Sequence, residues 1–96
     1  MAAGTFYKQT FPILIRDKER IVYQGQALAL TTWNDKGVFD VLPTHSHFIS
    51  LIHKKLDIIK PDGKTLSVPI VKAILKVFQG EARIYMGVFS NISLKK

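Results

Sequence analysis

The chain has 96 residues, enough for one small domain that buries about 60–65% of its unfolded surface. It is 47% hydrophobic and 22% charged, a globular composition, and its lack of cysteine excludes a disulfide scaffold, a cysteine-ligated zinc knuckle and a cysteine nucleophile. Fourteen Lys and Arg against seven Asp and Glu give a net charge of +7, which favours acidic partners: nucleic acid, anionic lipid or an acidic protein face.

The first element is a strand in which Phe11, Ile13 and Ile15 alternate with Pro12, Leu14 and Arg16. A charged turn follows at Arg16-Asp17-Lys18-Glu19. Gln24-Gly25-Gln26 then interrupts the next extended pair, and Asn34-Asp35-Lys36-Gly37 ends in a glycine suited to positive φ. Phe39 and Val41 alternate with Val38, Asp40 and Leu42; further on, Leu56 and Ile58 alternate with Asp57 and Ile59. Pro61-Asp62-Gly63 is the strongest hairpin signal, joining Ile58-Ile59 to Leu66–Val68. From Ile70 to Phe78 the apolar residues fit a helical spacing, but Pro69 and the β-branched content favour a strand. Gln79-Gly80-Glu81 leads into a last strand with Ala82, Ile84 and Met86 on one side. Roughly eight to ten short strands separated by turns predict an all-β sandwich or barrel.

No apolar run approaches the roughly 20 residues of a membrane-spanning helix, and Met1-Ala2-Ala3-Gly4-Thr5 lacks the features of an export signal. The basic residues are scattered, with adjacent pairs only at Lys54-Lys55 and Lys95-Lys96, so the charge reads first as a solvated surface. His45, His47 and His53 suggest a metal site only weakly, because no Cys or nearby carboxylate pair completes a tetrahedral set and Asp40, the closest carboxylate, with two His is a weak pattern. Ser46 lacks the glycines of a nucleophile elbow. Glu19, Glu81, Asp17, Asp35 and Asp62 all sit in turns, where carboxyls are solvated. No phosphate loop or dinucleotide fingerprint is present. The residues therefore predict a protein that is not an enzyme and needs no cofactor. The alternative function is a small basic β-barrel that stacks single-stranded nucleic acid on aromatics such as Tyr23 and Trp33.

Residues Gly37-Val38-Phe39-Asp40-Val41-Leu42-Pro43-Thr44-His45 and the apolar strand Phe48–Ile52 form the most distinctive stretch. It resembles the N-terminal β-sandwich domain of the epsilon subunit of F-type ATP synthases, where a glycine turn, a short strand ending in Leu-Pro-x-His and an apolar strand come in this order. The surroundings are similar too: Phe11–Arg16, Arg20–Gly25 and Ala27–Trp33 before the motif, then the Lys60–Lys64 hairpin, Ile74–Phe78 and Ala82–Met86. The departures are Thr44 where the family has glycine, Lys54-Lys55 where it often has Pro-Gly, and Val71-Lys72-Ala73 where it has Ser-Gly-Gly.

The resemblance implies a two-sheet sandwich of mostly antiparallel strands over residues 11–87, with an extension at 1–10 and a tail at 88–96. It also implies a non-catalytic rotor subunit that couples gamma to the c-ring during ATP synthesis and proton or sodium transport. Such a subunit is peripheral, at the cytoplasmic face of the inner membrane, and its partners are gamma and the c-ring rather than nucleic acid. The family's helical hairpin and its nucleotide site have no room after Val88–Lys96; the subunit is short, or the chain is a piece of a longer one. By position, Asn34, Asp35, Lys36, Gly37, Val38, Pro43, Thr44 and His45 are the c-ring-proximal residues. Tyr23, Leu28, Lys76, Phe78 and Arg83 are the gamma-facing candidates, with core packing as the plainer reading of the apolar ones. An isolated domain would expose that face and is open to self-association.

Overall fold

The structure, a computed structural model, describes residues 9–43 and 47–87. Its strands are β1 (Phe11–Arg16), β2 (Ile21–Ala27), β3 (Ala29–Asn34), β4 (Gly37–Val41), β5 (Phe48–Ile59), β6 (Thr65–Phe78) and β7 (Glu81–Met86). They form one hydrogen-bonded sheet in the order β2-β1-β7-β6-β5-β3-β4. Only β1 and β7 run parallel; every other pair is antiparallel.

Alternation sets the faces. Phe11, Ile13 and Ile15 of β1 and Ala82 and Ile84 of β7 are buried, while the residues that alternate with them point outward. One apolar cluster collects residues of all seven strands, with Ile15, Leu30, Val41, Ile52, Leu56, Leu75 and Ile84 fully buried. A flat sheet leaves both faces wet. The inner faces here are dry because the sheet doubles over and its two arms cover each other.

The crease lies in the two long strands. His53 pairs with Lys72 but Lys54 pairs with Ile70, so Val71 is an extra residue in β6. This is a β-bulge, which bends and twists the strand that carries it. On one side of it, Phe48–His53 and Lys72–Val77 join β7, β1 and β2; on the other, Lys54–Ile59 and Thr65–Ile70 join β3 and β4. Five strand segments therefore stack on four, all within one continuous ladder. The sequence predicts more and shorter strands because their ends were expected at turns. The chain instead passes between layers at a bulge, which needs no turn residues.

The same bulge explains the helical spacing in Ile70–Phe78. Ile70 points inward before it and Ala73, Leu75 and Val77 after it, so the inner set slips by one residue. Thr32 of β3 is buried opposite the irregularity, and its hydroxyl donates to the Lys55 carbonyl at 2.9 Å. A backbone acceptor near the disturbed ladder is thus satisfied by a side chain.

The turns follow their sequences. Asp17 Oδ1 accepts from the amides of Glu19 (2.8 Å) and Arg20 (2.9 Å), closing the β1–β2 turn. Gly63 donates to the Lys60 carbonyl at 2.8 Å around Pro61-Asp62. Gln79 (φ 51°) and Gly80 (φ 79°) make the two-residue turn between β6 and β7, with both central residues left-handed as the strand twist requires.

Candidate interaction surfaces

Outside the β5–β6–β7 half of the first layer, alternation places Ile49 and Leu51 of β5 beside Lys72, Ile74, Lys76 and Phe78 of β6. Glu81, Arg83 and Tyr85 of β7 come next. Two cross-strand rows result: Ile49–Lys76–Arg83–Leu14, and Leu51–Ile74–Tyr85–Arg16. This face is unusually apolar for an outer surface. Ile49 is 69% exposed, Leu51 59% and Phe78 44%, and Val71 on the bulge reaches 88%.

Phe78 is the ridge of that face. The His47 ring lies 4.8 Å from it and Lys76 Nζ 5.3 Å. A hollow of about 450 Å³ opens on one side, lined by His47, Phe48, Ile49, Lys76, Val77 and Phe78. A second, of about 250 Å³, lies between Phe78, Gln79, Glu81 and Arg83, and Lys76 borders both. Arg83 Nε donates to Glu81 Oε1 at 2.9 Å, and this bond, with a further one to Tyr85, holds the guanidinium above its ordinary pKa.

Three of the five gamma-side candidates, Lys76, Phe78 and Arg83, therefore meet on one face. Tyr23 does not join them. It points inward opposite Ile15, packs against the core, and crosses Gly25 so closely that a Cβ there would lie 2.7 Å from its phenol oxygen. Leu28 is half-buried between β2 and β3, where its amide donates to the Ile59 carbonyl at 2.7 Å.

The β3–β4 hairpin carries the other candidate group. Asn34 Oδ1 accepts from the Lys36 amide at 2.8 Å, and Asn34 Nδ2 donates to Ser50 Oγ at 3.2 Å, so the tip is tied to β5. Asp35, Lys36, Gly37 and Val38 are exposed. A groove of about 560 Å³ runs between this tip and β5, with His53 and Lys72 at its side. Pro43 sits past the far end of β4, about 20 Å of extended chain from Gly37. The two halves of this group are therefore not brought together. Thr44 and His45 lie outside the described residues.

On the outside of the second layer, Trp33 receives Lys54 Nζ at 5.8 Å and Lys55 Nζ at 5.7 Å from its ring centre, and Lys55 also reaches Asp57 at 3.6 Å. Other aromatics turn inward: Phe11 is buried, while Phe39 and Phe48 pack on the core with ring centres 6.1 Å apart. Among the described residues no three His, Asp or Glu gather as a metal set, and no helix is long and apolar enough to cross a membrane.

Sequence reading missed Ile49, Leu51 and Ile74 as surface residues. The signal was present: Phe48-Ile49-Ser50-Leu51-Ile52 is apolar at both parities, and a strand on the outside of a small domain has only one face to bury.

No protein-family model and no curated protein matches the chain. Solved structures do. A chain of the Euglena gracilis mitochondrial ATP synthase, in a structure that includes the c-ring in rotational state 1, superposes with a TM-score of 0.74. The match has 18% identity and covers 80% of this chain and 50% of that one. A chain of the Tetrahymena thermophila mitochondrial ATP synthase central stalk and c-ring gives 0.67 at 10% identity, over 82% and 64%. The likeness is one of fold. The present chain spans half the length of the first neighbour and under two thirds of the second.

Proposed function

We propose that this chain is a non-catalytic rotor subunit of an F-type ATP synthase, of the epsilon type, coupling gamma to the c-ring. The observation that carries the reading is a fold shared over four fifths of the chain with a component of an ATP synthase structure that includes the c-ring. It is supported by the order of the sequence elements around Leu42-Pro43 and by a doubled sheet with an apolar outer face.

On this reading the domain does mechanical work. Residues 11–87 are the body; Lys76, Phe78 and Arg83 belong to the face held by gamma, and the Asn34–Gly37 tip with Val38 turns toward the c-ring. The part is stiff because its interior is close-packed. It binds no cofactor and no nucleic acid, and it sits peripherally at the cytoplasmic face of the inner membrane, where the catalytic head projects.

Co-expression with the gamma subunit of the same organism tests the proposal. The expected result is stoichiometric capture of gamma and no retention of single-stranded oligonucleotide on a filter. Oligonucleotide binding without gamma capture would move the chain to the nucleic-acid class.

A further inference from the structure

We infer that the outside of the crease is a binding ridge for an anionic lipid surface, with Trp33 as its amphipathic anchor and Lys36, Lys54 and Lys55 as its cations. This goes beyond the rotor reading and rests on it only for the side of the molecule that faces a membrane. The ridge follows from the register. Val38 pairs with Trp33, Trp33 with His53 and His53 with Lys72, so one cross-strand row runs over β4, β3, β5 and β6. Thr32, Ile52 and Ala73, adjacent to these residues along their strands, are buried, so the row itself turns outward. It lies where β5 and β6 pass between the layers and where β3 shifts its register on β5. The inner faces of a doubled sheet meet, so the outside of its bend is convex. A convex ridge can touch a broad, flat partner without the rest of the body intervening.

The side chains select the partner. Trp33 is the single tryptophan of the chain and is half-buried, with the Lys54 and Lys55 ammoniums 5.8 and 5.7 Å from its ring centre. Val38, 59% exposed, ends the row on one side; Val71, 88% exposed, stands beside Lys72 on the other. An indole bordered by long cationic stems, with isolated aliphatic side chains at either end, matches the chemistry of a membrane–water interface. Asp57, 3.6 Å from Lys55, and the exposed Asp35 at the hairpin tip offset part of the charge, but Lys36, Lys54, Lys55 and Lys72 leave a cationic surplus on a molecule of net charge +7. Single-stranded nucleic acid is served less well. It needs successive rings on which to stack, whereas two lysines already contact the Trp33 ring and Phe11, Phe39 and Phe48 turn inward.

Sedimentation of the full chain with vesicles of phosphatidylcholine, alone or mixed with phosphatidylserine, tests the ridge, and the emission of Trp33 reports the contact directly. Wild type should bind the anionic vesicles alone, less as salt rises, with its emission shifted to shorter wavelength. The double variant Lys54→Gln, Lys55→Gln should bind about thirtyfold more weakly. The double variant Lys60→Gln, Lys64→Gln removes the same charge about 20 Å further along the β5–β6 hairpin. It should lose no more than about threefold, because that distance exceeds the screening length. Circular dichroism checks the fold of both. Equal binding to the two vesicle types, equal losses in the two double variants, or binding with unchanged Trp33 emission would overturn the inference. So would retention of a single-stranded oligonucleotide that the Lys54, Lys55 variant abolishes, with no vesicle binding by wild type; that result would give the ridge to nucleic acid. Capture of gamma is read separately: its failure in wild type removes the rotor reading whatever the vesicles show, and its survival in the Lys54, Lys55 variant supports a lipid ridge distinct from the gamma side.

Discussion

Lys54 holds φ at 75° in a strand, a conformation that crowds any side chain with a Cβ. A φ in this region is ordinary for glycine, so the lysine occupies a backbone site suited to glycine. Lys54→Gly should raise stability by up to about 1 kcal/mol, with the loss of one lysine over Trp33 partly offsetting the relief. Lys54→Val should lower it, and urea denaturation distinguishes the two. Asp17 carries the second residue-scale prediction. The Glu19 amide, then the Arg20 amide, hold its carboxyl below the ordinary value of 3.8. A depressed folded value means that the stabilisation is present above about pH 4 and disappears as pH falls through the folded pKa. Asp17→Ala should therefore reduce the loss of stability on acidification below that point, read as a shallower fall of thermal midpoint with pH. The turn itself was legible, because a charged run between two alternating segments has few other uses. The strain at Lys54 was not, since lysine carries no mark of positive φ.

At the scale of elements, β5 and β6 decide the architecture. The hairpin between them was readable from Pro61-Asp62-Gly63, and Ile58 does pair with Leu66. Their length was not readable. A bulge is an extra residue, and Val71 looks like any other strand valine. Its trace in the sequence is the three-residue step from Ile70 to Ala73, which imitates a helix. Val71→Gly keeps the extra residue and should cost about 1 kcal/mol or less. Deleting Val71 restores a regular ladder without turning any inner side chain outward, yet it removes the bend. Deletion should therefore destabilise far more than substitution, checked by comparing the two in chemical denaturation. Thr32→Val keeps shape and leaves the Lys55 carbonyl without its 2.9 Å donor. About 1–3 kcal/mol should be lost, measured the same way.

On the scale of the whole molecule, composition and period two were enough for an all-β domain, while the sharing of one ladder by both layers needed coordinates. The gamma-side candidates show the same division. Lys76, Phe78 and Arg83 sit on alternate positions of paired strands and emerge on one face. Tyr23 is turned inward by the register of β1 with β2, which no local pattern announces. Leu51→Asp should leave the thermal midpoint of the isolated chain within about 1 °C, since the side chain contributes little to the core. It should also raise the concentration at which the chain first aggregates, as light scattering would show.

A twisting load applied to such a body has an unusual route. In a sandwich of separate sheets, opposed forces on the two outer surfaces are resisted only by side chains that can slip past one another. Here, besides its connecting segments, the polypeptide passes from one layer to the other within two paired strands, β5 and β6. Sliding would have to stretch covalent backbone or unzip their shared ladder end to end. Pulled across its thickness, the domain should yield in one abrupt rupture rather than by gradual creep.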